Sequence, residues 1–366
     1  MIYLDNGATS LHKPKEVKKA VLFALEHFAN PGRGGYPASM AAAKTVLQCR
    51  ERAGELFDCQ PEQVVMTNNC THGLNIAIRT LVKPGSRVLI SGFEHNAVTR
   101  PLFALGAKVT VAGRKLFDWE DTLSRFEDGL KEGQDVAVFT HVSNVFGYIL
   151  PVEQMADLCH RYNVPFVVDA AQSAGCLPVS LKAWNADFIA MPGHKGLLGP
   201  QGTGMLLCGR MPLPLMQGGT GSNSQSQQMP DFLPDLAEPG TINVPGIAGL
   251  GAALRYLQKN GTEKIRRNEF LQAKHCAQGL QAMGFPVFAG AHQGGTVSFV
   301  PKGDCEEAAQ MLAQQGICVR AGLHCAPLAH ESAATLETGT VRVSFGHDAC
   351  PAQTEALLHA ARRLMR

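Results

Sequence analysis

Seven short apolar runs, separated by stretches with helical periodicity, constrain the fold of this chain more than any other feature. They occupy residues 63–67, 86–91, 108–112, 135–142, 164–170, 186–191 and 203–208. Nearly continuous apolar strands that alternate with helices are typical of a mostly parallel sheet covered by helices on both faces. The sequence therefore predicts an α/β fold, with a mostly parallel seven-stranded sheet in one large domain.

The pattern changes beyond about residue 250. A long helical pattern near 263–283 is followed by a strand, a helix, a strand and a helix at 296–300, 305–315, 341–345 and 354–364, which indicates a smaller α+β domain. We predict a large domain over residues 11–252 and a small domain over 253–366 that also includes 1–10. Residues 217–245 are rich in Gly, Pro and Ser, which favours a long functional loop at a site or an interface.

Charge and cysteine content exclude several classes of function. The 366 residues carry 33 basic and 31 acidic side chains without a basic block, so we expect no nucleic-acid partner. No apolar stretch approaches the roughly 20 residues that span a bilayer, and the first residues do not form a signal peptide. The eleven cysteines show no zinc-ligand spacing, so we expect no metal site. We expect a cytoplasmic protein with reduced thiols.

Polar residues follow the apolar runs, where a doubly wound sheet binds its ligands. Five strand ends carry them: Cys70 and Thr71, then His95, then Asn144, then Asp169 and Gln172, and finally His194 and Lys195. One such residue alone is more often a helix cap or a hydrogen-bonded core group. Five strand ends together indicate a binding site.

This set of residues suits pyridoxal phosphate. That cofactor needs an amine for a Schiff base, a carboxylate at its pyridine nitrogen, a donor to its phenolic oxygen, a flat group against its ring and a phosphate cradle. These needs are met, in that order, by Lys195, Asp169, Gln172, His95 and the Cys70–Thr71 turn. The competing interpretation, a nicotinamide dehydrogenase, requires a GxGxxG motif that the sequence lacks.

Seven motifs occur in order along almost the whole chain: YLDNGAT, EHNAV, HVSNVFG, VDAAQSAG, GHKGLLGPQGTG, EPGTINVPGIAGLGAAL and RAGLHCA. In these the chain resembles the class V aminotransferase fold group, and specifically its cysteine desulfurase and selenocysteine lyase family. RAGLHCA is similar to the group II signature RxGHHCA. The resemblance implies the pyridoxal-phosphate-dependent transferase fold type I, a homodimer, and active sites at the subunit interface.

The resemblance also implies roles for individual residues. Lys195 would carry the cofactor, while Thr71 and the backbone around His194 would bind its phosphate, together with Thr241 from the other subunit. Asn144 and Arg342 would hold the substrate carboxylate. Arg320 and His324 would flank the nucleophile, Cys325. The implied activity converts L-cysteine to L-alanine and leaves the sulfur on Cys325 as a persulfide, from which an acceptor protein could take it.

Three departures from the family pattern leave the substrate open. Pro192 replaces a hydroxyl residue near the phosphate, Cys70 and His72 stand where group II enzymes have Thr and Glu, and Leu323 replaces the first histidine of HHC. The alternatives are selenocysteine or cysteine-sulfinate chemistry at the same site, and a class V aminotransferase in which Cys325 is incidental. A binding module without chemistry is disfavoured because Lys195 and Asp169 are both present.

Overall fold

The computed structural model describes residues 1–32 and 34–365. The helices of this part of the chain are α1 (Lys15–His27), α2 (Pro37–Phe57), α3 (Cys70–Leu81), α4 (Asn96–Ala104), α5 (Trp119–Lys131), α6 (Val152–Arg161), α7 (Leu181–Trp184), α8 (Val244–Asn260), α9 (Thr262–Ala282), α10 (Cys305–Gln314), α11 (Pro327–Ser332) and α12 (Pro351–Ala361). Short 3-10 helices cover Pro61–Gln63, Asp235–Ala237 and Arg362–Met365.

The strands belong to three sheets. They are β1 (Ile2–Tyr3), β2 (Val64–Thr67), β3 (Arg87–Ser91), β4 (Lys108–Ala112), β5 (Val136–Thr140), β6 (Phe166–Asp169), β7 (Phe188–Pro192), β8 (Gly204–Cys208), β9 (Val287–Phe288), β10 (Thr296–Phe299), β11 (Ile317–Cys318), β12 (Arg320–Gly322) and β13 (Thr340–Ser344). Six of the seven predicted apolar runs contain one strand of the largest sheet, and the run 186–191 covers all of β7 except Pro192.

The large sheet has the order β2-β8-β7-β6-β5-β3-β4. Its strands pair in parallel except for β8, which is antiparallel to both β7 and β2. Alternate residues of β5 enter different cores: Ala137 and Phe139 pack on one face, and Val136 and Val138 pack on the other. Because both faces are covered, the strands are mostly apolar. The prediction of a mostly parallel, doubly covered seven-stranded sheet is confirmed.

The C-terminal part of the chain forms its own apolar core around an antiparallel sheet of order β12-β13-β10-β9. The beginning of the chain joins this core, since Leu4 is buried in it and β1 pairs in parallel with β11. The predicted boundary between residues 252 and 253 lies inside α8, and the domain limits remain a proposal.

The segment 217–245 connects β8 to α8. Before α8 begins at Val244 it contains a single short 3-10 helix, Asp235–Ala237, and much of the rest is exposed. Among the described residues, none of the helices is both long and apolar enough to cross a membrane. The same residues contain no cluster of three or more His, Cys, Asp or Glu that could hold a metal ion.

Candidate active site

One pocket lies at the carboxyl ends of the central strands of the large sheet, and we call it the Lys195 pocket. Eight of the predicted site residues line it: Cys70, Thr71, His95, Asn144, Asp169, Gln172, His194 and Lys195. These residues are up to 125 positions apart in the sequence and meet because parallel strands end at the same edge. The structure thus brings together the groups that the strand-end argument selected.

Lys195 lies in a tightly packed turn just after β7. A Cβ atom at Gly175, where φ is +90°, would lie 2.3 Å from the carbonyl oxygen of Gly196, so this approach requires glycine. The Ser10 hydroxyl donates to the Lys195 carbonyl oxygen at 3.1 Å and fixes the turn from the N-terminal side. Burial and the nearby Arg342 cation lower the pKa of the Lys195 amine, although Asp169 opposes the shift. A larger fraction of neutral amine is therefore available than on an exposed lysine.

Asp169 ends β6 and is 3% exposed. Its Oδ1 atom accepts a hydrogen bond from the Ala171 amide at 2.8 Å and one from the Cys70 thiol at 3.4 Å. Burial and the Asp169 carboxylate raise the pKa of Cys70 well above its usual value, so this thiol stays protonated and can donate. Cys70 therefore helps to orient the carboxylate that is predicted to face the pyridine nitrogen.

His95 is the N-cap residue of α4, and its Nδ1 accepts from the Ala97 amide at 3.0 Å. Burial lowers the pKa of the imidazole despite the opposing charge of Asp169. A neutral ring that accepts at Nδ1 carries its proton at Nε2. On the other side of the pocket, the Gln172 Nε2 donates to the Gly7 carbonyl oxygen at 3.0 Å, which fixes the orientation of its amide.

Arg342 and Asn144 form a second group of buried polar side chains beside the pocket. Arg342, on β13, is 2% exposed, and its Nη1 donates to the Asn144 carbonyl oxygen at 3.0 Å. The Arg342 Nε and the Asn144 Oδ1 are buried without a hydrogen-bond partner among the described residues. Because buried polar groups are normally paired, these two atoms indicate where a polar ligand group belongs.

Asp5 organises this group, and the sequence argument missed it. Its Oδ1 accepts from the Arg342 Nη2 at 2.7 Å and its Oδ2 accepts from the Arg320 Nε at 3.1 Å. One carboxylate thus holds both predicted arginines. The signal was present in the YLDNGAT motif, but its target lies more than 300 residues away, which no local pattern reveals.

Cys325 lies in a loop between β12 and α11, residues 323–326, which we call the Cys325 loop. Of the eleven cysteines, all within the described part of the chain, it is the only exposed one. His324 and Cys325 have φ values of 51° and 56°, in the left-handed region that non-glycine residues rarely adopt. Two hydrogen bonds of 2.8 Å hold this backbone in place. The Asn144 Nδ2 donates to the His324 carbonyl oxygen, and the Asn96 amide donates to the Cys325 carbonyl oxygen.

His324 itself points inward rather than towards the thiol. It is buried, its ring stacks on His330 at 5.8 Å, and its Nε2 lies 3.3 Å from the Arg320 carbonyl oxygen. Burial and the Arg342 charge lower the pKa of His324 to about 3. The ring is therefore neutral near pH 7 and supplies no positive charge to a Cys325 thiolate. Its contribution is to anchor the loop.

A model of the family described as aminotransferase class-V matches residues 2–357. A protein named probable cysteine desulfurase from Methanothermobacter thermautotrophicus is 32% identical over 363 residues, covering 94% of this chain and 90% of the relative. One of the same name from Pyrococcus abyssi is 33% identical over 94% of this chain and 89% of its own length. The chain belongs to the class-V aminotransferase family. The resemblance inferred from the motifs is confirmed.

Solved structures give the same result for the fold of this class-V aminotransferase family member. The apo structure of a cysteine desulfurase from Thermococcus onnurineus NA1 is 31% identical and superposes with a TM-score of 0.90 over 100% of this chain and 94% of that one. A cysteine desulfurase from Escherichia coli, at 24% identity and a TM-score of 0.86, covers 99% and 94% and supports the fold alone. The predicted fold type I is confirmed.

Members of the class-V aminotransferase family depend on pyridoxal phosphate, which confirms the predicted cofactor. The residues present fit that group. The pocket holds an amine with a lowered pKa, a buried carboxylate held by two donors, and a neutral imidazole with its proton at Nε2. The N-terminus of α3, capped by Asn69, lies at the pocket and favours a phosphate.

Other predicted residues lie apart from these contacts. Thr241 is exposed in the segment 217–245 and does not line the Lys195 pocket. Leu323 lies beside Cys325 and is 38% exposed. The His72 Nδ1 accepts a hydrogen bond from the Asn68 amide at 3.3 Å. The roles assigned to the individual site residues remain predictions.

Proposed function

We propose that this protein is a pyridoxal-phosphate-dependent cysteine desulfurase that converts L-cysteine to L-alanine and transfers the sulfur to Cys325. One observation carries this proposal: Cys325, the only exposed thiol among the described residues, is tied through its own loop to Asn144 and to the start of α4, next to His95. The sulfur acceptor is thereby held beside the predicted cofactor pocket and in contact with solvent.

Arg342 and Asn144 bind the substrate. The unpaired Arg342 Nε can donate to the substrate carboxylate. The Asn144 Nδ2 gives one hydrogen to the His324 carbonyl oxygen and can donate its second to the same carboxylate. A guanidinium held by Asp5 on one side and by the Asn144 backbone on the other is already oriented, so little entropy is lost on binding. We propose that this group selects α-amino acids.

Bound pyridoxal phosphate supplies an electron sink that weakens the bonds to the substrate α-carbon. Lys195 Nζ, neutral in a larger fraction because its pKa is lowered, takes the α-proton and later returns a proton to the carbon fragment. His95 would lie against the cofactor ring, and its Nε2 proton could be donated to the substrate. Asp169, held by Cys70 and Ala171, would supply a negative charge at the pyridine nitrogen.

Sulfur transfer requires Cys325 to act as the nucleophile. The Cys325 thiolate attacks the substrate sulfur, a sulfur–sulfur bond forms, and the carbon–sulfur bond breaks with its electron pair going to carbon. Protonation of that carbon yields alanine, and the enzyme keeps a persulfide. A thiol of an acceptor molecule then takes the terminal sulfur from the exposed loop.

A product assay tests the proposal. Purified protein is incubated with cysteine, selenocysteine and cysteine sulfinate in parallel, and alanine is measured against keto acid. Mass spectrometry of a briefly treated sample should find one extra sulfur atom on the peptide that contains Cys325. A wild type that turns over selenocysteine but not cysteine would identify a selenocysteine lyase, because a selenolate leaves more readily and needs less help from an enzyme thiol. Keto acid as the main product would favour an aminotransferase instead.

We further propose a homodimer in a reducing, cytoplasmic environment. Exposed apolar side chains on the first two helices support an interface, and they include Leu22, Phe23, Leu25, Met40 and Leu47. Thr241, exposed and outside its own pocket, suits a phosphate contact in the partner. The eleven cysteines of the described chain are free thiols. Sedimentation of the holoenzyme as a monomer with full cofactor would contradict the dimer.

A further inference from the structure

A second and larger cavity lies behind the Lys195 pocket. Its volume is about 650 Å³, within the range of small-molecule sites. The two pockets share a wall, because Lys195 and Gln172 line both of them. The chain contains two tryptophans, and both of them, Trp119 and Trp184, line this cavity, which we call the tryptophan cavity.

The walls of the tryptophan cavity are aromatic and rigidly held. The Trp119 ring stacks on His292 with centroids 3.5 Å apart and an interplanar angle of 7°, and its Nε1 donates to the Ile149 carbonyl oxygen at 2.7 Å. Trp184 meets the His141 ring edge-on at 5.2 Å and 87°. Fixed aromatic faces of this kind bind cations through their quadrupoles.

Buried polar groups also line this cavity. The Glu269 side chain, on α9, belongs to a residue that is 7% exposed, and Cys176 is its hydrogen-bonding neighbour. Burial raises the pKa of the Glu269 carboxyl to about 8, so the group is charged above that pH or when a neighbouring cation stabilises its carboxylate. His141 is equally buried, and its Nδ1 has no partner among the described residues. Buried groups with so few partners require an explanation, and a ligand supplies one.

We propose that the tryptophan cavity binds a small organic cation with an apolar body, whose ammonium group lies between Glu269 and the tryptophan faces. A buried carboxylate beside aromatic rings is the chemistry that recognises such ions. Two arginines line the rim of the cavity, and neither strongly repels a bound cation. Arg266 is paired with Glu263 at 2.6 Å, and Arg267 is exposed, so solvent screens its charge.

An occupant of the tryptophan cavity would contact the wall that carries Lys195 and Gln172. If the occupant changes the affinity for the cofactor, the cofactor must change the affinity for the occupant by the same factor. The site is nevertheless separate from sulfur transfer, since the residues of the Cys325 loop do not line this cavity. The proposal therefore does not depend on the desulfurase reaction.

The experiment titrates holoenzyme at about pH 9, where the Glu269 carboxyl is ionised, with benzyltrimethylammonium chloride, a quaternary cation that cannot condense with the aldehyde of pyridoxal phosphate. Tryptophan fluorescence should change along a saturable curve, because both tryptophans line the cavity. Glu269→Gln, which keeps the shape and removes the charge, should weaken binding about tenfold or more. The control Glu153→Gln, at an exposed carboxylate that also lines the cavity, should change the affinity less than about threefold. The Cys325→Ser variant should bind like the wild type.

Two results would overturn the proposal. One is the absence of a saturable fluorescence change, and the other is equal or tighter binding of phenylacetate, which has the same aromatic body and the opposite charge. Circular dichroism checks that Glu269→Gln is folded. If it is not, Glu269→Asp decides the question: this shorter carboxylate should bind the cation more weakly than the wild type, and unchanged affinity would also overturn the proposal.

Discussion

The Lys195 pocket and the Cys325 loop are built in opposite ways. In the pocket, groups such as Asp169 and Gln172 follow buried strands of the large sheet, and further hydrogen bonds fix them. In the loop, the only exposed thiol in the part of the chain that the structure describes lies on left-handed backbone between β12 and α11. Main-chain carbonyls, rather than the thiol itself, hold the loop in place.

This contrast separates two chemical tasks. Cofactor chemistry depends on fixed positions and low exposure, since misplaced groups lose most of their effect. A sulfur carrier must instead reach the substrate and then an acceptor, which requires an exposed atom on an anchored base. Substitutions in the pocket are therefore expected to reduce activity most. Substitutions in the loop are expected to abolish sulfur transfer without abolishing substrate binding.

The largest effect is expected at Lys195. Lys195→Ala removes both the amine that links the cofactor and the proton carrier, so turnover should fall about 1,000-fold or more. Borohydride reduction followed by mass spectrometry should add the mass of the reduced cofactor to the wild type and not to the variant. Lys182→Ala, at an exposed lysine of α7, serves as the control and should keep both properties. A wild type that cannot take up the cofactor would contradict this prediction.

Cys325→Ser should separate the function of the loop, sulfur transfer, from the function of the pocket, substrate binding at the cofactor. Alanine formation should fall about 100-fold or more because the positioned nucleophile is lost, whereas added cysteine should still change the cofactor absorption spectrum, since Lys195, Asn144 and Arg342 are intact. Iodoacetamide should likewise modify Cys325 before the less exposed cysteines. The control is Cys59→Ser, at the end of α2, which should be fully active. Full desulfuration by Cys325→Ser would refute the persulfide mechanism.

The anchor of the loop should make it sensitive to acid. The pKa of His324 is lowered from 6.5 to about 3, so between these values the unfolded chain binds a proton that the folded chain does not. Stability therefore falls as the pH drops below 6.5, and His324 should contribute a loss of about 2 kcal/mol between pH 7 and pH 5. Urea unfolding at both values should show a smaller loss for His324→Gln. Equal losses in the two proteins would show that His324 is not the acid-sensitive anchor.

The smallest effect is expected at Asp5, which connects the two regions through the arginines. Asp5→Asn weakens its bonds to Arg342 and Arg320, so the KM for cysteine should rise about tenfold while kcat changes little. Steady-state kinetics measures both constants. Asp348→Asn, which breaks only the surface contact with His12, is the control and should leave KM unchanged. A fall in kcat at constant KM would place Asp5 in a different role.

Sequence patterns were sufficient for the framework and for much of the pocket. Apolar strands and their polar ends are local signals, and they located the strands of the large sheet and Lys195. The bonds from Gln172 to Gly7, from Cys70 to Asp169, and from Asp5 to two arginines were not predicted. Each joins segments far apart in sequence, and a single chain carries no signal for such pairs. The buried orientation of His324 was missed because RAGLHCA indicates a neighbour of the nucleophile and does not reveal which way its ring points.

The pairing of β1 with β11, and of Asp5 with Arg342, joins positions more than 300 residues apart. During synthesis the strands of the large sheet, which end at residue 208, emerge long before β13 does. Arg342, the proposed ligand of the substrate carboxylate, can therefore be oriented only after nearly all of the chain has left the ribosome. Contacts this distant in sequence raise contact order and slow folding. The amino-terminal residues should accordingly gain protection from hydrogen exchange among the last during refolding, together with recovery of activity.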